Sequence, residues 1–452
     1  MLFLRGSLGA DAAQVGAFTM EGGVMRNGCS VSCCVTMLAL TLLANAAWSQ
    51  TLPKNRRVTI EPSITYLKPG QQQQFKVVMI ATRLMAADAP KDVKWAVNDI
   101  PGGNAQVGTI SADGIYHAPA KAPSPREAHI CVEVPEAANR YLWTTVIVGD
   151  GPPAYKRCGY WSEPVQKGKG RTEHLVDPHG IGLDADGNLL IADQLGNQVV
   201  RFTPEGRFLG SIGSGKGEEP GQFTEPRIVT SDAQGRIFVS DSKGDRPRIQ
   251  VFDRDGKFLQ TFAEKGMKPG MLLRTHGMSF DPAGRLFAAD VDNMRVNVYD
   301  SKGEHLYDWG KEGLNPGEFN SPHGLHVDKN SDVFVTGYYG PTQKFNSEGD
   351  FLIAFCHGDP PDGPVYFHNM TGDRWGNVYM TVRSKGGYQG AIQRDGKHIS
   401  FVKYNNIGSY VTAWGMSDPE HGETSAVVDA LGRVYALFKG EKEMGVEIFQ
   451  EE

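Results

Sequence analysis

Pro178-His179-Gly180-Ile181-Gly182-Leu183-Asp184-Ala185-Asp186-Gly187-Asn188-Leu189-Leu190-Ile191-Ala192-Asp193 decides how this chain folds. It is a short apolar strand, a tight Asp-x-x-Gly turn and a second apolar strand, the pattern of a β-hairpin. The phrase recurs. Asp232-Ala-Gln-Gly235 leads into Arg236-Ile-Phe-Val-Ser-Asp241, and Asp281-Pro-Ala-Gly284 into Arg285-Leu-Phe-Ala-Ala-Asp290. Asp328-Lys-Asn-Ser331, Asp373-Arg-Trp-Gly376 and Asp429-Ala-Leu-Gly432 are followed by similar apolar strands. Successive turn aspartates lie 48, 49, 47, 45 and 56 residues apart by subtraction. A period of about 40–50 residues with several strands per unit marks propeller blades. One four-stranded sheet cannot bury both faces, but six closed in a ring can. The spacing therefore predicts an all-β chain with a six-bladed β-propeller over residues 155–452.

The chain has 452 residues, enough for two or more domains. Its net charge of −6 offers no basic face for nucleic acid. Residues 1–49 read as a signal peptide with an upstream extension. An apolar run from Val35 to Ala47 ends in the small-x-small triplet Ala44-Asn45-Ala46, and Met25-Arg26 makes a normal basic start. The run is short for a membrane span, although an uncleaved anchor is the alternative. The expectation is an exported protein, periplasmic or extracellular, with no membrane span in the mature chain. Beyond the leader stand Cys131, Cys158 and Cys356, an odd and scattered set that supports no disulfide framework and predicts at least one buried free thiol.

Residues 53–149 alternate apolar and polar residues in short strands separated by Pro, Gly and Asp, as in a β-sandwich. About seven strands are expected. The phrases Trp95-Ala-Val97 and Gly114-Ile-Tyr116-His-Ala-Pro119 resemble the bacterial immunoglobulin-like domain, which implies a spacer or adhesion module. His117 and His129 read as surface or packing residues. After the linker Gly149-Asp-Gly-Pro-Pro153, the apolar stretch Tyr155 to Trp161 stands alone before the first blade. The last blade lacks an outer strand, so 155–161 is expected to fill it and close the ring.

Lys216-Gly-Glu-Glu-Pro-Gly-Gln-Phe223 and Lys311-Glu-Gly-Leu-Asn-Pro-Gly-Glu-Phe319 repeat one interblade connection. Together with the hairpin phrases they resemble the NHL repeat family of six-bladed propellers over about 155–450. Counting five residues back from each turn aspartate gives one column: His179, Arg227, His276, His323, His368 and Thr424. Four of the chain's 12 histidines fall in it. Equivalent positions in a ring face one axis, so these side chains should converge at one rim. Three imidazoles with an open position make a catalytic zinc geometry, and His179, His276 and His368 come from alternate blades. His323 would be a fourth ligand or a base. The other reading is that Pro-His-Gly is a plain turn with its imidazole bonded to backbone.

The alternating histidines and the phrase Pro178-His179-Gly180 also resemble the peptidyl-α-hydroxyglycine amidating lyases. That resemblance implies zinc on His179, His276 and His368, implies calcium as well, and implies cleavage of a carbinolamide to an amide and glyoxylate. That family carries a catalytic Tyr in an Asp-Gly-Tyr phrase after the second strand of blade two. Here the place reads Ser240-Asp241-Ser242-Lys243. Tyr338 and Tyr339, which follow the second strand of blade four, should reach the histidine rim and are substitutes for it, or else pack in their loop. Arg227 would hold an anion. The predicted partner is a small or peptide-like ligand in the channel. The alternative is a non-catalytic scaffold that binds protein or polysaccharide on a rim.

Overall fold

Each repeat aspartate builds the turn that follows it. Asp184 Oδ1 accepts from the N–H groups of Asp186 and Asn188, both at 2.9 Å. Asp232, Asp328, Asp373 and Asp429 make the same pair of bonds two and four residues on. A short carboxylate that bonds its own backbone favours a turn over continued strand. The turn glycines take positive φ, +80° at Gly187. Ser331 adopts +66° in the same place, so the fourth turn survives without its glycine.

The computed structural model describes residues 58–79, 92–135, 137, 140–165, 174–242, 247–337, 340–356, 366–383, 392–394, 397–418 and 421–452. The predicted signal peptide and the pair Tyr338 and Tyr339 lie outside them. Among the described residues no helix is long and apolar enough to cross a membrane. Six four-stranded antiparallel sheets follow the hairpin phrases. Blade one is Pro178–Leu183, Leu189–Asp193, Gln198–Phe202 and Phe208–Ile212. The innermost strands of the next five are Pro226–Ser231, Thr275–Phe280, Pro322–Val327, Tyr366–Gly372 and Gly422–Val428. Each innermost strand touches the next, and the last touches the first, so the sheets form a closed ring. Tyr155–Pro164 pairs antiparallel with Glu443–Glu451 as the outer strand of blade six, the closure expected from the sequence.

Between blades, the bridges Lys216↔Phe223, Lys265↔Leu272 and Glu312↔Phe319 fold three equivalent connections. Phe223, Leu272 and Phe319 are the buried anchors. The first and third carry the repeated phrase quoted above; in the middle copy Leu272 replaces Phe.

At the hub the strands meet backbone to backbone. A Cβ on Gly180 would lie 2.1 Å from the Arg227 carbonyl oxygen of the next blade. One on Gly277 would lie 2.7 Å from the Leu325 amide nitrogen, and one on Gly324 2.7 Å from that of Met370. Glycine at these places lets the innermost strands approach.

The described residues of 58–148 form eleven strands, more than the expected seven, in sheets of two, five and four. The five-stranded sheet runs Ile64–Leu67, Tyr141–Val148, Glu127–Glu133, Lys94–Val97 and Ile100–Pro101, the first pair being parallel. One apolar core joins these sheets, with Phe75, Val97, Tyr116, Ile130 and Val146 buried in it. Gly114 packs on the Trp95 ring, and Tyr116 donates to the Val107 carbonyl at 2.7 Å. His117 is exposed. None of the three described cysteines forms a disulfide; Cys158 is exposed, and Cys131 and Cys356 are half-buried, where a buried thiol was expected.

This part does not hang from a tether. Lys54–Glu452 forms one compact unit. Lys403 of blade five donates to Glu127 at 2.6 Å, both side chains being buried. His129 stacks on Trp375 with ring centroids 4.6 Å apart. Lys329 bonds Asp99 and lies over the rings of both Trp143 and Trp375. Lys329, Arg374 and Trp375 belong to the Asp-x-x-Gly turns. The joint therefore sits at the opposite end of the innermost strands from the histidine column.

Three outcomes follow from these contacts. Gly180→Ala should lose about 1–3 kcal/mol in denaturant unfolding, because the added methyl meets backbone that cannot yield. Lys403→Met should lose about 3–5 kcal/mol by stranding the Glu127 carboxylate, and the double variant with Glu127→Gln should recover part of that loss. Burial pushes the His129 imidazole down to about 4, against 6.5 ordinarily. Between those values the unfolded chain binds the extra proton, so stability falls as pH drops from 6.5 towards 4. His129→Phe should shrink that acid loss when unfolding midpoints are measured across the range.

Candidate metal centre

The column residues reach the axis because the ladder slips beneath them. In every blade the pairing of the innermost and second strands is broken by a bulge: between Pro178 and Gly180, Pro226 and Ile228, Thr275 and Gly277, Pro322 and Gly324, Phe367 and Met370, and Glu423 and Ser425. The skipped residues are His179, Arg227, His276, His323, His368 with Asn369, and Thr424. A bulge bends the strand and re-aims the side chain it carries. In the first three blades a buried aspartate holds the entry to the bulge. Asp193 accepts from the N–H groups of Val176 and Asp177, Asp241 from Thr224 and Glu225, and Asp290 from Leu273 and Arg274. Burial raises all three carboxyls above their ordinary value, and these hydrogen bonds pull the other way. The equivalent ladder positions in blades four to six are Gly337, Arg383 and Lys439.

The four imidazoles do converge. Ring centroids lie 5.3 Å apart for His179 and His276, 6.0 Å for His179 and His368, and 5.9 Å for His276 and His368. One ligand nitrogen from each of these three lies within 4.8 Å of the others. A tetrahedral ion bound at 2.0–2.1 Å sets its donors about 3.4 Å apart, so closing the trio onto one ion moves each ring edge by less than about 1 Å. Burial, and then the neighbouring His323, His179, Arg227 and His368, hold the His276 imidazole well below its ordinary value. The ring is thus neutral, the form in which imidazole ligates a metal. Donor type and spacing suit a divalent cation.

His323 stands beside this trio, its centroid 4.5 Å from that of His276. Its Nδ1 lies 2.9 Å from the Ser321 carbonyl oxygen. A carbonyl only accepts, so Nδ1 carries the proton and Nε2 is the acceptor nitrogen. Arg227 also belongs to the cluster, as its place in the column implied. Its guanidinium is 2.8 Å from His276 Nε2 and forms an ion pair with Glu225. Glu225 was not anticipated, because no periodic position marks it. Ser242, at the place where the resembled family carries its Tyr, has its hydroxyl 3.4 Å from the backbone of Thr275 in the next blade and its N–H on the Glu225 carbonyl.

Below the rim a cavity of about 240 Å³ runs between the innermost strands, with His276, Thr230, Ser279 and Thr371 among its walls. His326 also lines it but is tied to the Asp373 carbonyl, and burial pushes its imidazole down to about 4. Asn369 donates to Ser425 across two blades at 2.6 Å. Neither residue stood out in the sequence, since each fills only one blade's copy of its position.

No protein-family model matches the chain. It is 29% identical to the peptidyl-glycine alpha-amidating monooxygenase of Mus musculus over 126 residues, which is 26% of this chain and 13% of that protein. The chain thus spans about an eighth of that relative's length. A solved streptogramin B lyase aligns at a TM-score of 0.42 and 10% identity, covering 65% of this chain and 98% of that one. The NHL-repeat-containing protein 4 of Mus musculus is 33% identical over 116 residues, 26% of this chain and 76% of that protein. With that match and its six recurring sheets, the chain belongs to the NHL-repeat proteins.

Proposed function

We propose that His179, His276 and His368 hold a divalent metal, zinc by donor type, and that the protein is an exported lyase acting on a small or peptide-like ligand at the histidine rim. The observation that carries this reading is the trio itself: three imidazoles from alternate blades, with ligand nitrogens within 4.8 Å of one another. The partial likeness to an amidating monooxygenase supports the reaction class. The leader-like residues 1–49 support export.

A bound ion would supply Lewis acidity to a hydroxyl or carbonyl of the ligand. Around it the chain's own groups divide the remaining work. Arg227 is a fixed cation at the rim and suits an anionic group on the ligand. His323, with its proton on Nδ1, takes a proton at Nε2. The hub leaves only a narrow cavity beneath the rim, so the bulk of a larger ligand stays outside and its end enters. Calcium, implied by the family resemblance, has no acidic donor cluster among the described residues that would hold it.

A second reading is a metal-free scaffold that binds protein or polysaccharide on a rim. It is favoured by Met267 and Leu314, 77% and 66% exposed on two equivalent interblade connections. Elemental analysis separates the two. The purified full chain should carry about one equivalent of zinc, and the His179→Ala, His276→Ala double variant should lose it while keeping its strand circular-dichroism spectrum. Wild-type protein that stays metal-free after incubation with zinc would overturn the enzyme reading.

A further inference from the structure

A neutral imidazole has one N–H and one lone pair. In His276 that lone pair is already engaged. Arg227 lies with a guanidinium nitrogen 2.8 Å from Nε2. Arginine has five donors and no acceptor, so Nε2 must accept and Nδ1 must carry the ring proton. The same lone pair cannot also bind a cation. Glu225, buried beside the pair, holds the second arm of the guanidinium.

We propose that Arg227 is an internal competitor for the metal: its guanidinium occupies the His276 lone pair until a cation displaces it, and Glu225 retains it at the rim. This rests on the metal reading above. No covalent bond changes. One N–H···N hydrogen bond is lost and one metal–nitrogen bond forms. The displaced arm then faces the rim with an unsatisfied N–H, next to a newly introduced double positive charge. An anionic group on a ligand satisfies both. Cation and anion binding are therefore positively linked, and by reciprocity each strengthens the other. The ligand class that follows is a carboxylate or another oxyanion. A neutral ligand would leave the displaced guanidinium beside the ion uncompensated.

The test is zinc affinity, read by competition with a chromophoric chelator on the full chain, with acetate as the anion probe. Arg227→Met should bind zinc about ten- to a hundredfold more tightly than wild type, the worth of one hydrogen bond to a charged donor. The Glu225→Gln, Arg227→Gln double variant should also bind more tightly, which excludes an effect due only to an unmasked Glu225 carboxylate. A residue that merely propped the site would weaken binding on removal. Acetate should tighten zinc binding in wild type and have little effect on Arg227→Met. Zinc bound by wild type with affinity unchanged or weaker in both variants would overturn the competitor role and leave the metal centre standing. Zinc bound by neither wild type nor Arg227→Met would overturn both. Zinc bound only by Arg227→Met would support the competitor role and overturn the enzyme reading of the wild-type chain.

Discussion

Backbone contact at the hub is the constraint from which the site follows. Gly180, Gly277 and Gly324 each stand where a methyl group would strike the neighbouring blade's backbone. Strands this close confine what faces the axis to a narrow cavity of about 240 Å³. The bulge at each strand's entry turns one residue out of the ladder and towards the axis. His179, Arg227, His276, His323 and His368, from five of the blades, then share a small volume. That His179, His276 and His368 lie 5.3–6.0 Å apart needs no special loop to bring them together. Ring closure, through Tyr155–Pro164 on Glu443–Glu451, is enough.

What could be read from the sequence was what is local or periodic. The Asp-x-x-Gly turn is decided by a carboxylate and its own next four residues, so six copies were visible and the blade count with them. The column was visible because a fixed distance from that turn is a fixed height on the innermost strand. The bulge was not, since a one-residue slip leaves the letters of the strand unchanged. The connection Lys265–Leu272 was missed because its anchor is conserved in burial and not in residue type. Pairings between distant segments also leave no trace. Glu127 and Lys403 are 276 residues apart, and no composition or spacing joins them. Arg227 was found by its position, but its engagement with His276 depends on the angle between two blades.

The same limit explains the N-terminal sheets. Their strand-and-turn pattern suggested a module on a linker, and the composition of Gly149 to Pro153 agreed. In the structure Arg126 bonds Glu451 through its amide and the Glu452 carbonyl through its side chain, while Asn405 donates to the Ser63 carbonyl. The C-terminal strand thus serves two masters, closing the ring on one side and gripping the N-terminal sheets on the other. Burial pushes the Glu451 carboxyl up to about 8, with the charge of Glu127 adding to the effect. A joint built on a buried cation between carboxylates gives fixed geometry more than raw stability. It also occupies the turn end of blades four and five, leaving the histidine end outside its contacts.

Charge at the hub links its parts. The Arg227 guanidinium, on His276, and the Glu225 carboxylate beside it balance one another in charge. A divalent ion adds two positive charges to a buried place that already holds one. The ligand nitrogens of the trio would accept the ion by geometry, while the electrostatics weaken its hold and a negative group at the rim would offset that. Blade two, with arginine where its neighbours one, three, four and five carry histidine, thus does more than break the pattern. It would make the affinity of the centre for a cation depend on what comes to the rim.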